Sequence, residues 1–407
     1  MPLTSASENQ DRVFAAAFSI LETAIGERAF PAASVAVTHA GKLVALKSIG
    51  KFVYQEDLER APYPSRSFRE GNIDGLEVIP ATVFDLASLT KALVTTTMAA
   101  ILYERGILEL EAPILGAVPE FLIDSCGEAD QRRREVTFRQ LLSHSSGLPA
   151  YEKLFLGAQT REELLRAALT MPLSAGPGTR AEYSDIGFII LGVALERLAQ
   201  QALDVFCQKE IFGPLGMSNS TFNPPGGKRA QIPPTADERE ESGRGARPSS
   251  GEKTRSTFRR RIIQGEVQDE NASVMGGIAG HAGLFSTPED IARFAQAMLN
   301  GGTPILRPET VSLFTRPESG LSGASWALGW DTPSSPSQSG KYFGPRSYGH
   351  LGYTGTSLWI DPDRQLSVTL LTNRTWPDCS NQAIKRVRPE FYDATVEALG
   401  LKRIRNT

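Results

Sequence analysis

The spacing of hydrophobic and polar positions changes several times along the chain, and these changes outline its elements. Residues 11–26, DRVFAAAFSILETAIG, carry apolar side chains at helical spacing and predict an N-terminal helix. Two runs rich in β-forming residues then flank the tripeptide AGK at 40–42, which indicates a hairpin. Residues 356–373 repeat this arrangement around an Asp-Pro-Asp turn and predict a second hairpin. The final run, PEFYDATVEALG, predicts a closing helix with Gly400 at its C-terminal cap.

The middle of the chain has a mainly helical pattern, from Leu86 to about Leu203. A helical pattern returns at TPEDIARFAQAMLNGG, where Thr287 has the features of an N-cap residue followed by a first-turn proline and two acidic residues. Residues 55–80 are rich in charge, proline and glycine, and are interpreted as an excursion from the core. Residues 224–258 are polar and dense in glycine, serine and charge, which predicts a mobile surface insertion.

Strands near both termini with helices between them predict one sheet built from both ends of the chain. We therefore expect an α/β fold of the α+β type, with a mainly antiparallel sheet flanked by helices and an inserted, mostly helical lobe. Single cores usually stop growing near about 250–300 residues, so a chain of 407 residues predicts two lobes. The expected unit spans 10–403, with residues 10–85 and 285–403 in the α/β lobe. Residues 86–284 form the helical lobe and contain the insertion.

Composition excludes several classes of function. The chain is 41% hydrophobic and 22% charged, as in soluble globular proteins, and its net charge of −3 favours neither nucleic acid nor anionic membrane as a partner. No run approaches the roughly 18 apolar residues of a spanning helix. The three cysteines, Cys126, Cys207 and Cys379, fit no disulfide or metal pattern and predict free thiols. Free thiols, together with N-terminal residues that lack the pattern of a signal peptide, predict a cytoplasmic location.

Lys91 is the feature that points to chemistry. It lies in FDLASLTKALVTTTMAAIL, a stretch with no other charge after Asp85. Ser88 precedes it by three residues, and residues at this spacing are neighbours on a helix. A cap at Asp85 would place Ser88 in the first turn, where free N–H groups favour developing negative charge. A desolvated lysine can act as the base that a serine nucleophile needs, whereas a snorkelling lysine beside a chance serine is the alternative.

Two further motifs accompany this pair. AEYSDIGFIILG places Tyr183 and Asp185 just before an apolar helix, and GHLGYTGTSLWI places His350 and Gly352 just before a strand. In this order, the three motifs resemble those of the penicillin-recognising serine hydrolases, the class C β-lactamase-like family that includes DD-peptidases, D-amino-acid peptidases and serine esterases. Further family-like phrases are LLSHSSGLP, PLGMSNSTF, GGIAGHAGLFSTPED and LLTNR. The resemblance spans about 35–399 and implies a β-lactamase/transpeptidase-like fold.

The resemblance implies a role for each motif residue. Ser88 is expected to be the nucleophile that becomes acylated, and Lys91 its base or proton relay. Tyr183 shares protons with Lys91, and either activates Ser88 or protonates the leaving group. The oxyanion hole is expected to consist of the backbone N–H groups of Ser88 and Tyr353. Asp185, His350 and Gly352 are the expected substrate-binding residues.

Two departures from the family pattern bear on the substrate. His350 and Leu351 stand where family members with a K-T-G motif have lysine and threonine. The positive charge of this motif therefore depends on the protonation of a histidine, and the hydroxyl donor of the threonine is missing. Asp185 stands where asparagine is commoner, and a carboxylate accepts hydrogen bonds without donating them. Asp185 is also positioned to keep Lys91 protonated and so weaken it as a base. These changes favour a neutral ester or amide substrate, unless Arg374 or an arginine of the insertion restores anion binding.

Three alternatives remain open. D-Ala-D-Ala carboxypeptidase, D-aminopeptidase or weak β-lactamase activity is the alternative within the family. A catalytically lapsed binding or assembly protein is the alternative outside the enzymes, because two of the three motifs are altered. Ser145 in SHSSG resembles a nucleophile elbow but follows a helix-like run instead of a strand.

The remaining histidines and acidic residues predict structure more than chemistry. His144 is expected to pin a turn, His281 to be structural or to line the site, and the acidic cluster VQDENA (267–272) to be a hydrogen-bonded loop. The four histidines lack zinc spacing, and no nucleotide-binding glycine motif is present. We expect no cofactor and no metal, with a small ester, amide or peptide as the partner. The sequence does not predict an oligomeric state.

Overall fold

The computed structural model describes residues 3–57, 76–239, 258–318 and 325–402. Much of the predicted excursion over 55–80 and the second half of the predicted insertion over 224–258 lie outside the described residues. The insertion's first half contains regular elements, and its mobility stays a prediction. Within it, residues 226–231 form a 3₁₀ helix, strand β6 (Ala236–Asp237) pairs with β7 (Ile262–Ile263), and Glu238 is buried.

The main sheet is built from both ends of the chain. It has six strands in the order β1, β3, β2, β11, β10, β9. The N-terminal strands are β1 (Thr4–Ser5), β2 (Ala32–His39) and β3 (Lys42–Gly50); the C-terminal strands are β9 (Tyr348–Leu351), β10 (Ser357–Asp361) and β11 (Leu366–Thr372). Only the short β1 runs parallel to its neighbour. Both predicted hairpins are present, β2–β3 and β10–β11.

Both faces of this sheet are covered, which explains why β2 is buried along almost its whole length. Two terminal helices, Ala15–Gly26 and Ile384–Ala398, cover one face and share a core with Val35 of β2 and Val368 of β11. The helix Pro288–Leu299 packs against β2 and β11 and contributes Ala292 to the core of the opposite face. This helix begins as predicted, because the Thr287 side chain accepts a hydrogen bond from the Asp290 N–H.

The C-terminal helix differs from the prediction at its start. It begins at Ile384, so Pro389 lies inside it and cannot donate to the carbonyl of Lys385. The Gln338 side chain donates to that carbonyl instead, at 3.0 Å. The helix ends as predicted, because Gly400 adopts φ +70° beyond its last residue.

The middle of the chain forms a second, larger hydrophobic core around the helix Asp185–Ala199, whose residues 186–195 are all buried. Gly192 of this helix lies against Gly280, where a Cβ on Gly192 would come 2.8 Å from the Gly280 Cα. This contact brings the loop 276–283 against the helix. A small sheet, β4 (Phe84–Asp85), β8 (Leu284–Ser286) and β5 (Thr221–Phe222), borders the same core.

The remaining helices of the described residues are short. The α-helices are Gln10–Val13, Thr97–Glu104, Phe138–Leu142, Arg161–Leu169, Leu203–Cys207, Gly213–Leu215, Glu270–Val274 and Pro308–Thr315. Lys91–Thr96 and Gln208–Phe212 are π-helical, and shorter 3₁₀ turns connect the elements. Among the described residues no single helix is long and apolar enough to cross a membrane, although the sharply bent pair Asp185–Ala199 and Leu203–Leu215 passes that test by length and composition.

The predicted fold class is confirmed: helices flank a mainly antiparallel sheet formed by both chain ends, and a mostly helical region is inserted between them. The boundaries drawn between the two lobes stay a prediction.

Candidate active site

Ser88 lies at the start of the helical segment that follows β4. The Asp85 carboxylate accepts a hydrogen bond from the Ala87 N–H at 2.8 Å, which turns the chain out of the strand, and Ala87 adopts φ +46°. The other oxygen of Asp85 accepts from the Gln268 N–H at 2.6 Å. Burial nevertheless raises the pKa of Asp85 to about 6. Asp85 therefore anchors the turn that presents Ser88, but the helix begins only at Leu89, so Asp85 is not the helix cap that the sequence predicted.

Lys91 is completely buried at the next turn, and it does not snorkel to solvent. Its ammonium donates to the Ser88 Oγ at 2.9 Å and to the His281 carbonyl at 3.1 Å. The Lys91 Nζ also lies 2.6 Å from the Asp185 carboxylate. The segment from Lys91 is π-helical, a local widening that is frequent at functional sites. The structure therefore brings the predicted serine and lysine into direct contact.

Electrostatics keep Lys91 charged. Burial by itself lowers the pKa of the amine, because desolvation disfavours the ammonium. The negative charge of Asp185 and the contact with Tyr183 outweigh burial, so the pKa of Lys91 is raised overall. The sequence-based expectation that Asp185 holds the proton on Lys91 agrees with this geometry.

Tyr183 reaches the same pair from the other side of the site. Its phenol interacts with the side chains of Lys91 and Ser88, and its ring centroid lies 4.8 Å from the Lys91 Nζ. Burial raises the pKa of Tyr183 to about 12, so the phenol is neutral at physiological pH. The structure therefore brings Ser88, Lys91 and Tyr183 together as one hydrogen-bonding group.

Tyr183 and Asp185 are held by a helix cap and a buried histidine. The Ser184 hydroxyl caps the helix Asp185–Ala199 by accepting from the Gly187 N–H at 2.9 Å. The Ser184 N–H donates to the His144 Nδ1 at 3.0 Å. The imidazole of His144 also packs against the Tyr183 ring, with centroids 4.7 Å apart. Burial lowers the pKa of His144 well below its usual value, so it acts as a neutral acceptor, in the structural role predicted for it.

The third motif forms a turn, residues 352–356, which is fastened to the residues just before Ser88. The Thr354 hydroxyl donates to the Asp85 carbonyl at 2.8 Å, and the Thr356 hydroxyl donates to the Leu86 carbonyl at 2.9 Å. Gly352 makes this approach possible: a Cβ there would lie 2.4 Å from the Leu86 oxygen. The sequence predicted Gly352 at the site, and its contribution in the structure is the close approach of two backbones.

The backbone N–H groups of Ser88 and Tyr353 have no acceptor in the protein. Within the described residues neither of them donates a hydrogen bond to the protein, whereas the N–H groups of Leu89 and Gly352 beside them do. Both residues line the same cavity. Free N–H groups beside a serine hydroxyl are what an oxyanion hole requires, and these are the two that the sequence predicted.

His350 does not face the cavity as a cation. The imidazole is 2% exposed, its Nδ1 donates to the Leu351 carbonyl at 2.8 Å, and it does not line the cavity. Burial and the nearby charge of Lys91 lower the pKa of His350 to about 3. Leu351, Gly352 and Tyr353 form this part of the cavity wall instead. The substrate-binding role expected for His350 stays a prediction, and its placement gives it no support.

The cavity has a volume of about 720 Å³ and places the Ser88 side chain within reach of a small ligand. Asp185 and Asp269 lie on its acidic side, where the His281 Nε2 is 2.8 Å from the Asp269 carboxylate. Arg374 also lines the cavity, with its guanidinium over the Tyr353 ring at 4.7 Å from the ring centroid. Apolar side chains also line the cavity, among them Phe155, Leu156 and Phe258.

Sequence reasoning missed several residues of this cavity. Asp269 was interpreted as part of a hydrogen-bonded loop, yet it lines the site and orients His281. Arg388 lies 36 residues beyond Gly352 in the C-terminal helix, and no motif marks it. Their positions depend on contacts between distant segments, so the local pattern carries no signal for them. Among the described residues no group of three or more acidic, histidine or cysteine side chains is arranged to hold a metal ion.

The Ser145 alternative is not supported by its surroundings. The helix Phe138–Leu142 precedes it, whereas a nucleophile elbow follows a strand. The Ser145 side chain is buried against the Ser143 hydroxyl at 2.9 Å and does not line the cavity.

Comparison with known proteins agrees with this geometry. The model of the Beta-lactamase family matches residues 17–388. The chain belongs to the beta-lactamase family. Proteins named amidase and carboxypeptidase are among its relatives, and the chain is a serine hydrolase that works through an acyl-enzyme.

Two relatives illustrate the range of this family. An N-acetylmuramyl-L-alanine amidase of Bacillus subtilis is 32% identical over 362 residues, covering 85% of this chain and 77% of the amidase. A putative D-alanyl-D-alanine carboxypeptidase of Escherichia coli K12 is 34% identical over 310 residues, covering 72% of this chain and 69% of the carboxypeptidase.

Solved structures with low sequence identity share the fold. EstCE1, a hydrolase with promiscuous acyltransferase activity, superposes with a TM-score of 0.70 at 20% identity and covers 95% of this chain and 99% of its own. A penicillin-binding protein homologue from Caulobacter crescentus gives a TM-score of 0.69 at 18% identity, with 98% and 99% coverage. These likenesses place the beta-lactamase-family fold over nearly the whole chain.

Proposed function

We propose that this protein hydrolyses small amides or esters whose scissile carbonyl enters the cavity above Ser88. The observation that carries the proposal is the 2.9 Å contact between the Ser88 Oγ and the Lys91 Nζ, beside two free backbone N–H groups. A nucleophile, a proton acceptor and an oxyanion hole are thereby assembled at one point of a cavity.

The proposed reaction starts from the enzyme molecules in which Lys91 has lost its proton to solvent: the Ser88 Oγ attacks the carbonyl carbon while the hydroxyl proton passes to the neutral amine of Lys91. The N–H groups of Ser88 and Tyr353 stabilise the negative charge that develops on the carbonyl oxygen. The Tyr183 phenol, which contacts both side chains, hands a proton to the leaving amine or alcohol and regains one from Lys91. The carbon–heteroatom bond breaks, and an ester on Ser88 remains.

Water then attacks the acyl-enzyme. The same groups act in the reverse direction: one proton of the water passes to the Tyr183–Lys91 pair, and the Ser88 Oγ regains a proton as it leaves. The products are a carboxylic acid and an amine or alcohol. Because Asp185 keeps Lys91 protonated, the amine accepts a proton more readily as the pH rises, and the proposed reaction favours alkaline conditions.

The substrate is proposed to be uncharged at its cleavage point. His350 is buried and neutral, so it supplies no cation beside the nucleophile, and Asp185 adds negative charge on the same side. Apolar side chains on the cavity wall favour a substrate with an apolar portion. The names of the two relatives favour an amide over an ester, since both describe cleavage of amide bonds next to alanine.

A D-Ala-D-Ala carboxypeptidase is the second candidate. Its substrate ends in a carboxylate, and Arg374, which lines the cavity, is a guanidinium that could meet that charge. Arg374 already donates to two backbone carbonyls, those of Tyr353 and Cys379, so only part of its hydrogen-bonding capacity is open to a ligand.

The deciding experiment labels the full-length protein with a fluorophosphonate and maps the adduct by mass spectrometry. We expect one adduct on Ser88 and none in Ser88→Ala, whereas Ser145→Ala keeps the label. An adduct elsewhere that survives Ser88→Ala would refute the proposal.

A substrate panel then separates the candidates. Values of kcat/KM are compared for p-nitrophenyl acetate, an N-acyl-alanine amide, nitrocefin and a D-Ala-D-Ala peptide. The proposal predicts the highest values for the uncharged ester and amide. Efficient turnover of nitrocefin or the peptide would overturn the substrate assignment, and stoichiometric labelling without turnover of any substrate would support the lapsed binding protein.

A further inference from the structure

Arg388 occupies an unusual position behind the oxyanion turn. It projects from the C-terminal helix Ile384–Ala398, is 6% exposed, and its Nη2 donates to the carbonyl of Gly352 at 2.9 Å and to that of Thr356 at 3.0 Å. The Gly352 carbonyl belongs to the same peptide group as the Tyr353 N–H. Arg388 therefore contacts the carbonyl end of the peptide whose N–H end faces the cavity, and its own side chain also borders that cavity.

Peptide geometry connects these two ends. In a trans peptide the C=O and the N–H point in opposite directions within one plane. A guanidinium that fixes the direction of the Gly352 carbonyl therefore fixes the direction of the Tyr353 N–H. A positive charge on the carbonyl oxygen also draws electron density from the amide nitrogen, which makes the N–H a stronger donor.

Burying this arginine needs an explanation, because a buried charge without a carboxylate is costly. Within the described residues no carboxylate contributes to its electrostatic environment, and its Nε has no hydrogen-bond partner. Burial, together with the nearby charge of Arg374, lowers the pKa of Arg388 to about 10, so the side chain is still cationic at neutral pH. An apolar side chain would fill this space at less cost to folding.

The Gly352 carbonyl also accepts from the Gly355 N–H at 3.0 Å, and two further carbonyls of the turn accept from Arg374. Within the described residues the Tyr353 N–H donates to no protein group. The Arg374 Nε donates to the Tyr353 carbonyl at 2.8 Å, and the Arg374 N–H donates to the Thr354 carbonyl at 2.9 Å. Arg388 differs from Arg374 because it acts on the peptide that carries the oxyanion donor.

We propose that Arg388 is a positioning residue that orients and polarises the Gly352–Tyr353 peptide, so that the Tyr353 N–H becomes a strong donor to the oxyanion. This inference rests on the proposed function, in which that N–H is half of the oxyanion hole. Arg388 acts through the peptide and needs no contact with the reacting atoms.

The test measures the carbonyl stretch of the acyl-enzyme by infrared difference spectroscopy with a ¹³C=O-labelled acyl ester. Hydrogen bonds from an oxyanion hole lower this frequency. We expect the band to move to higher frequency in Arg388→Met and to return part of the way in Arg388→Lys, which restores the charge. Removal of one oxyanion donor costs about 10²–10³ in kcat, so weakening one should slow acylation by about 10-fold while KM changes little.

Arg133→Met is the matched control. Arg133 is likewise buried, and its guanidinium donates to carbonyls, those of Phe121 and Leu169 among them, on the helical side of the molecule. Its loss should lower the melting temperature and leave the band and the acylation rate of the folded protein unchanged.

The outcomes separate the two proposals. If the wild-type protein forms no adduct on Ser88, the proposed function fails and the inference fails with it. If the adduct forms but the band and acylation rate of folded Arg388→Met equal those of the wild type, only the inference about Arg388 is overturned. If Arg388→Met fails to fold, Arg388→Gln, which keeps a hydrogen-bond donor without the charge, is compared with Arg388→Lys. An acyl carbonyl band at the same frequency in both variants would overturn the inference about Arg388.

Discussion

Gly352→Ala is the substitution that most sharply tests how the oxyanion hole is built. The added Cβ would lie 2.0 Å from the Thr356 Oγ1 and 2.4 Å from the Leu86 carbonyl oxygen. The φ of Gly352 is outside the left-handed region, so alanine is not strained by its backbone conformation, and the perturbation is purely one of space.

The size of the displacement follows from these distances. The contact with the Leu86 oxygen is about 1 Å shorter than the 3.4 Å at which ordinary van der Waals contact begins. The obstacle is backbone and cannot rotate away, so the turn 352–356 must move back by about that amount. Leu86 lies two residues before Ser88, and the movement therefore separates the two N–H groups of the proposed oxyanion hole.

A misplacement of about 1 Å can cost about 100-fold in rate, and overpacking of this kind typically costs about 1–3 kcal/mol of stability. We therefore expect Gly352→Ala to remain folded with a lowered melting temperature, to keep KM nearly unchanged and to lose about 100-fold in kcat. Stopped-flow acylation by p-nitrophenyl acetate and thermal unfolding measure the two effects separately.

Gly26→Ala is the matched control, because no atom lies within 4 Å of its added Cβ and it ends a helix outside the turn 352–356. It should leave kcat unchanged. If Gly352→Ala acylates within about twofold of the wild-type rate, the close approach of the two backbones is not what forms the site, and the geometric reasoning is wrong.

Three further predictions concern charge. Asp185→Asn removes the negative charge 2.6 Å from the Lys91 ammonium, so the pKa of Lys91 falls and the acidic limb of the profile of kcat/KM against pH moves to lower pH. If this limb does not move, Lys91 is not the group whose titration it reports. His350→Gln should leave the shape of the profile between about pH 5 and pH 9 unchanged, because the pKa of His350 is about 3 and the imidazole is neutral throughout; loss of an inflection near about 6.5 would contradict this. Arg259→Met should lower the free energy of unfolding in denaturant by about 3–5 kcal/mol, because it leaves the buried Glu238 carboxylate without its partner. The double variant Arg259→Met/Glu238→Leu should recover most of this loss, and equal stability of the single and double variants would exclude a buried ion pair as the cause.

The sequence predicted the parts of the site that local spacing controls. The three-residue interval between Ser88 and Lys91 in an apolar run is enough to place a buried amine beside a hydroxyl. The apolar run after Asp185 is enough to place Tyr183 just before a helix. The two hairpins near the chain ends were likewise sufficient to predict a mainly antiparallel sheet built from both ends and flanked by helices, although not its six strands.

Burial and distant contacts could not be predicted in this way. His350 has the same local pattern whether its ring faces the cavity or the core, and only the packed structure shows it buried. Arg388 and Asp269 reach the site through contacts with segments far away in the sequence. The roles of the site residues, the boundaries between the lobes and the cytoplasmic location stay predictions.

The most direct test of the central claim is a crystal structure of the phosphonylated enzyme. The account predicts a bond between the Ser88 Oγ and phosphorus, with the phosphoryl oxygen about 2.7–3.1 Å from both the Ser88 and the Tyr353 nitrogen atoms. A phosphorus atom on another residue, or a phosphoryl oxygen turned away from the Tyr353 N–H, would contradict it.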